Sequence, residues 1–115
     1  MECFASFIDV YEQNKKCYPN RIAIIDQDKE HTYQDIWNKS KHICSLLQSH
    51  HISAGNRVGL LIPKSYDLVA SMLACWMNGS VFVPLDPNLP LERLLFYSED
   101  AQLHAILYSD VPLNW

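Results

Sequence analysis

Hydrophobic positions along the chain alternate between helical spacing and short, continuous apolar runs. The first apolar residues recur at positions i, i+3, i+4 and i+7, namely Phe4, Phe7, Ile8 and Tyr11. This spacing predicts an amphipathic N-terminal helix, which Pro19 ends because proline cannot continue a helix. The chain therefore opens with a helix that has one face to bury.

A β-branched run at 22–25 comes next, and polar residues at 26–30 separate it from a second extended stretch at 31–33. Two such runs joined by a polar turn predict a small antiparallel hairpin. Thr32 and Asp35 then have the spacing of a capping box, with Asp in place of the preferred Glu. The sequence therefore predicts that a helix begins directly after the hairpin.

The helix that begins near Thr32 is predicted to run to about His50 and to present one apolar stripe. The stripe consists of Ile36, Trp37, Ser40, Ile43, Cys44 and Leu47. The apolar run at 58–62 is continuous instead, as expected of a strand that is buried on both faces. Pro63 ends that run, and Ser65 is a natural cap for the following helix.

That following helix is apolar on nearly every side between 68 and 77, so we expect it to have neighbours in more than one direction. Gly79 suits the left-handed residue that closes a helix. A strand at 81–83, a helix from about Pro90 to Glu99 and a strand near 104–108 complete the pattern. The alternation predicts an α/β fold, a partial layered sheet of parallel strands with crossover helices, preceded by the N-terminal helix and the hairpin.

The composition is that of a folded protein with one core. Hydrophobic residues make up 49% of the 115 residues and charged residues 19%. The net charge of -4 argues against nucleic-acid binding, which needs a positive surface. No stretch has the pattern of a secretory signal or the ~20 apolar residues of a membrane span, so we expect a cytoplasmic protein without membrane contact. The cysteines lack CxxC spacing and are interpreted as small buried thiols; they are Cys3, Cys17, Cys44 and Cys75.

Lys64 and Ser65 follow a strand and open a helix, which is where a phosphate-binding loop lies in many nucleotide-binding proteins. Such a loop needs glycines so that successive N–H groups can surround the phosphates. Val58 and Pro63 occupy the two glycine positions here. We therefore interpret Ser65 as a helix cap and Lys64 as a solvated side chain.

Asp86 and Glu92 are close enough in sequence to suggest a pair of catalytic carboxylates. Turn and cap roles account for both without proton transfer. Pro87 biases Asp86 towards an extended conformation, and Pro90 fits the first helical position, with Glu92 near the positive end of the helix dipole.

None of the five histidines has the spacing of a metal site; they are His31, His42, His50, His51 and His104. Trp37, Tyr66 and Trp76 could line a ligand pocket, but residues at helical spacing are more often core. The sequence therefore predicts no catalytic, cofactor-binding or metal-binding residue in this chain, and no cofactor for the chain itself.

Two segments resemble motifs of the adenylate-forming enzymes, most of all the amino-acid adenylation domains of nonribosomal peptide synthetases. The family's early strand-to-helix motif has a counterpart in HTYQDIW at 31–37. Its second motif, with the preceding strand and helix, has a counterpart in GNRVGLLIPKSYDLVASMLACWMNGSVFVPLDPNLPLERL at 55–94. The segment VPLDP followed by PxER resembles the motif found in the amino-acid-activating branch of this family. The hairpin turn departs from the family, since DQDKEH lacks the glycine often found there.

The resemblance implies that residues 1–115 are a single incomplete domain, the N-terminal part of an adenylation (AMP-binding) domain. The parent family uses ATP and Mg to activate an amino or other carboxylic acid as an acyl-adenylate, and then transfers it to a carrier thiol. The family's phosphate loop, substrate pocket and catalytic lysine have no counterpart in this chain. The chain alone is therefore predicted to be inactive, and its expected partners are the remainder of the domain and a thiol carrier protein.

An alternative from a different class is a stand-alone, non-catalytic interaction module that pairs with another synthetase polypeptide. Under either hypothesis, the sheet is predicted to have an unpaired edge and the apolar helix at 68–77 to be partly uncovered. We therefore expect the isolated chain to self-associate.

Overall fold

A computed structural model describes residues 7–108, without the side chains of residues 7–9. Phe4, Cys3 and the stretch 109–115 lie outside the described residues. The elements are α1 (Phe7–Cys17), β1 (Ile22–Asp26), β2 (Lys29–Thr32), α2 (Tyr33–Ser49), β3 (Arg57–Leu61), α3 (Tyr66–Asn78), β4 (Val81–Pro84), α4 (Leu91–Asp100) and β5 (Ala105–Tyr108).

The predicted hairpin is confirmed: β1 and β2 pair antiparallel. Its two-residue turn holds Gln27 and Asp28 at positive φ angles of 49° and 65°, the conformation that usually favours glycine. The return strand ends at Thr32, because the capping box takes over there. The Thr32 hydroxyl accepts from the Asp35 N–H at 3.1 Å, and the Asp35 carboxylate accepts from the Thr32 N–H at 2.9 Å.

The second sheet has the strand order β4-β3-β5, and both pairings are parallel. This confirms the predicted α/β class with crossover helices. Val58 and Leu60 of the central strand β3 are fully buried in a cluster with residues of α2 and α3. Leu61 belongs to a separate cluster with Leu94 of α4. Because alternate side chains of a strand point to opposite faces, α2 and α3 cover one face of the sheet and α4 lies on the other.

Helix α3 is the centre of the packing, as its sequence predicted. Ala70, Ala74 and Cys75 are completely buried. The buried Ser40 hydroxyl of α2 donates to the Ala70 carbonyl at 3.0 Å, which joins the two helices. The helix was expected to be partly uncovered, and Val69 and Trp76 are indeed exposed, while α2 and the sheet cover most of its other apolar residues.

The ends of α3 also follow the sequence. Gly79 has a left-handed φ of 74°, and its N–H donates to the Trp76 carbonyl. Trp76 itself is exposed and makes an edge-to-face contact with Phe82, so its interpretation as a core residue is wrong. Trp37, by contrast, is half-buried and stacks on the buried Tyr11.

Helix α4 buries fewer residues than α2 and α3. Leu94 is its one buried residue. Four large apolar side chains of the helix are exposed, namely Leu91, Leu95, Phe96 and Tyr97. Within residues 7–108, no helix is long and apolar enough to cross a bilayer.

Candidate functional site

The loop between β3 and α3 has the cap geometry that the sequence predicted. The Ser65 hydroxyl accepts from the Leu68 N–H at 3.3 Å and donates to the Pro63 carbonyl at 2.8 Å. The Tyr66 N–H at the same helix end donates to the Asp26 carboxylate of the hairpin at 2.9 Å. The Tyr66 and Leu68 N–H groups are therefore already engaged, and Pro63 has no N–H to offer a phosphate. These residues do not fit a nucleotide phosphate.

The turn between β4 and α4 explains Asp86 without catalysis. Its side-chain carboxylate accepts from the Asn88 N–H at 2.9 Å, and its backbone carbonyl accepts from the Leu89 N–H at 3.2 Å. Pro90 is the N-cap of α4 and not its first helical residue, because its ψ of 150° is extended. Glu92 lies in the first turn of the helix, as predicted. Asp86 therefore has the structural role that we assigned from the sequence.

The histidines take part in packing and in backbone hydrogen bonds. The Nδ1 atom of the His104 ring accepts from the backbone N–H of Arg57 at 3.0 Å. The backbone N–H of His104 donates to the Arg57 carbonyl at 2.8 Å. The His31 ring stacks on Tyr66 at a centroid distance of 3.7 Å. His50 is the C-cap of α2. In the part of the chain that the structure describes, no three His, Cys, Asp or Glu side chains are grouped to hold a metal ion.

Three of these contacts were missed by sequence reasoning: those between Arg57 and His104, between Asp26 and Tyr66, and between His31 and Tyr66. The first joins residues that are 47 positions apart and the second joins residues 40 apart. No local pattern signals such contacts, because they depend on the tertiary arrangement of strands and helices.

Buried ionisable groups in the core are kept in their neutral forms. Burial raises the pKa of the Cys44 thiol, and burial together with the neighbouring Cys44 raises the pKa of Cys75 to about 12. Burial, with smaller contributions from Tyr33, Tyr66 and Asp35, also raises the pKa of Tyr11, whose hydroxyl donates to the Tyr33 carbonyl at 2.8 Å. These groups are suited to packing and not to nucleophilic chemistry.

The buried-thiol interpretation is confirmed for Cys44 and Cys75, which are free and buried. It is wrong for Cys17, which is free but exposed at the last residue of α1. Cys3 lies outside the described residues.

A groove of ≈ 680 Å³ runs between the C-terminal half of α2 and the open edge of β5. Its lining comprises Leu46, Leu47, His50, Ile52 and residues 104–108. Among these described lining residues there is no carboxylate, lysine or arginine. An extended apolar groove beside a strand suits a polypeptide better than a charged small molecule.

The hydrogen-bond ladder determines which backbone groups of β5 are open. The Val81 N–H donates to the Asn56 carbonyl and the Leu85 N–H to the Leu60 carbonyl, so even-numbered residues of β3 bond to β4. The odd-numbered residues therefore bond to β5, because residues of a central strand alternate between its two neighbours.

The register then assigns the residues of β5. Val58 is aligned with Ala105, and Leu60 is aligned with Leu107. The backbone of Ala105 therefore bonds to residues 57 and 59 of β3, and that of Leu107 bonds to residues 59 and 61. Ile106 and Tyr108 consequently direct their N–H and C=O groups outwards, towards the groove edge. The candidate functional site is thus a strand whose outer edge is unpaired among residues 7–108, beside an apolar groove.

Residues 11–114 match the sequence family described as AMP-binding enzyme. The chain belongs to this family of AMP-binding enzymes. One relative of this AMP-binding chain is tyrocidine synthase 3 of Brevibacillus parabrevis, which is 32% identical over 102 residues. The match covers 89% of this chain and 2% of the relative.

Solved structures share the fold of this AMP-binding chain. The N-terminal subdomain of Klebsiella oxytoca NpsA in complex with anthranilyl-AMSN superposes with a TM-score of 0.85 at 24% identity, over 91% of this chain and 28% of that one. NpsA-ThdA, an artificially fused adenylation-PCP di-domain from the same organism, gives a TM-score of 0.84 at 25% identity, over 90% and 20%. These findings confirm the resemblance to the N-terminal segment of a synthetase adenylation domain. The chain spans about a quarter of the solved chains that it matches.

Proposed function

We propose that this chain is the N-terminal scaffold of an amino-acid-activating adenylation domain. Residues 1–115 form one incomplete domain, and the remainder of the adenylation domain completes it. One observation carries the proposal: residues of the motifs that resemble the family have structural roles in this fold. Thr32 and Asp35 cap a helix, Gly79 closes one, and Asp86 holds a turn.

The parent enzyme of this proposal activates an amino or other carboxylic acid as an acyl-adenylate, with ATP and Mg, and then passes the acyl group to a carrier thiol. The family match over residues 11–114 and the likeness to an adenylation-PCP di-domain support this reaction class. Because the Pro63–Ser65 loop does not fit a phosphate, we assign no residue of this chain to the nucleotide. Its side chains hold the sheet and helices against which the rest of the domain folds.

We also propose that the 115-residue chain alone forms no acyl-adenylate. Titration calorimetry with Mg-ATP tests this directly. We expect no saturable heat in the micromolar range, while a complete adenylation domain titrated in the same buffer provides the positive control. Far-UV circular dichroism confirms that the chain is folded during the titration. Saturable micromolar binding by the folded chain would contradict the proposal.

The partners in this proposal are the remainder of the adenylation domain and, in the parent enzyme, a thiol carrier protein. The groove at β5 and the exposed apolar side chains of α4 are the surfaces available to the rest of the domain. When that polypeptide is missing, we propose that the chain self-associates through part of the same surface.

A further inference from the structure

The two outer edges of the parallel sheet differ in how well they are protected. Backbone hydrogen-bonding groups alternate in β4 as well, so those of Phe82 and Pro84 point away from β3. Pro84 has no N–H, so β4 offers one outward N–H group where β5 offers two. Proline and charged residues are common devices that keep a sheet edge from pairing. β5 has neither, since its residues are Ala, Ile, Leu and Tyr.

We propose that two copies of this chain pair through β5. The strands run antiparallel about a two-fold axis near Leu107. Ile106 of each copy then lies opposite Tyr108 of the other, and each such pair exchanges two N–H···O=C bonds. Four backbone hydrogen bonds form, and every β3–β5 bond within each copy is kept. The inference specifies the self-association named under the proposed function and does not depend on adenylate chemistry.

The side chains at this edge are compatible with the pairing. Ile106 and Tyr108 are 37% and 63% exposed and point to the same face of the strand. The register places the β-branched Ile106 beside the aromatic Tyr108 of the second copy, a favourable cross-strand combination. No charged side chain of β5 opposes its own copy across the axis, although the chain as a whole carries a charge of -4.

The area available sets the strength of the contact. An aromatic side chain buries at most roughly 250 Å² even when it is fully covered. The partly exposed Leu46, Ile106 and Tyr108 therefore supply less than the roughly 800 Å² per partner of a stable complex. We expect a weak dimer whose population rises with concentration. Of the two surfaces from which self-association was expected, the sheet edge and helix α3, we assign the dimer contact to the sheet edge at β5.

Sedimentation velocity tests this pairing, with loading concentrations from roughly 10 to 500 µM so that mass action can reveal a weak dimer. For the unaltered chain, we expect the average mass to rise from that of a 13.3 kDa monomer towards twice that value. Ile106→Lys places a charge on the edge and is expected to abolish the rise. Ile25→Lys is the matched control, because Ile25 is also exposed but lies in the hairpin.

Tyr108→Pro tests the backbone bonds themselves. It removes an outward N–H while leaving the hydrogen bonds between β3 and β5 intact, so we expect a folded monomer at every concentration. The thermal midpoint of each variant shows whether its monomer is folded. A monomeric unaltered chain at the highest concentration, or loss of dimer in Ile25→Lys but not in Ile106→Lys, would overturn the proposal.

Discussion

The two faces of the parallel sheet are packed to very different degrees. On the face covered by α2 and α3, Val58, Leu60 and Leu47 are almost completely buried. On the other face, Leu61 and Leu94 are also buried, but α4 leaves Leu95 and Phe96 exposed. The helices on the first face contribute several buried residues to the core, whereas the helix on the second face buries only Leu94 among its large apolar side chains.

This difference shows how the chain divides its apolar residues between folding and assembly. The α2–α3 face is stabilised by contacts within the 115 residues. Helix α4 presents exposed apolar side chains, which agrees with the proposed role of the chain as part of a larger domain. A scaffold segment of a larger domain is expected to have this asymmetry, because each buried apolar side chain needs a partner surface.

The largest expected effect separates the two faces with one substitution on each. Leu47 of α2 is 2% exposed and packs with Val58 and Leu60, and Leu47→Ala should reduce the free energy of unfolding by about 3 kcal/mol because it leaves a cavity. Leu95 is 51% exposed, and Leu95→Ala should change the free energy of unfolding by about 0.5 kcal/mol or less. Urea denaturation of both variants gives the comparison. Similar losses in the two would show that the faces are equally packed.

A second prediction uses the buried thiol of the well-packed face. The pKa of Cys75 is raised from 9.0 to about 12, so the unfolded chain loses this proton at a lower pH than the folded chain. Its contribution to stability is therefore complete below pH 9 and is lost as the pH rises towards 12. By a pH of about 10.5 the loss should be about 2 kcal/mol, at about 1.36 kcal/mol per pH unit.

The control for that prediction is Cys75→Ala, in which this part of the alkaline loss should disappear. Denaturation curves for the two proteins between about pH 8 and about pH 10.5 supply the measurement. Parallel pH profiles would mean that Cys75 is not protected from ionisation by the fold.

The smallest expected effect compares two serine hydroxyls. Ser40 is fully buried and donates to the Ala70 carbonyl, so Ser40→Ala should cost about 1 kcal/mol of stability. Ser98 of α4 donates to the Leu94 carbonyl within its own helix at 2.8 Å. Ser98→Ala should be close to neutral, because Ala is the better helix former and the site is partly hydrated. A larger loss for Ser98 would show that α4 is held more firmly than its exposure indicates.

Local features of the fold were predictable from the sequence because each depends on neighbouring residues. The capping box of Thr32 and Asp35, the Ser65 cap and the left-handed Gly79 are of this kind. The position of Pro90 was wrong by one residue, since helix ends depend on the exact ψ of the boundary residue.

The candidate site was less predictable. The sequence indicated an open sheet edge, but not that β5 and α2 form a groove, because these elements are far apart in the chain. Exposure was also difficult to predict for Trp76 and Cys17. Apolar residues at helical spacing do not show which face of a helix its neighbours will cover.

The central claim is that these residues are an exchangeable scaffold of an adenylation domain. In its most direct test, the 102 matched residues of this chain replace their counterpart in tyrocidine synthase 3, and amino-acid-dependent ATP–pyrophosphate exchange is measured. We expect the chimera to keep exchange within about tenfold and to keep its host's amino-acid preference, since the differing residues act in folding and not in the chemistry. A folded chimera with no exchange, or with a changed preference, would contradict the claim.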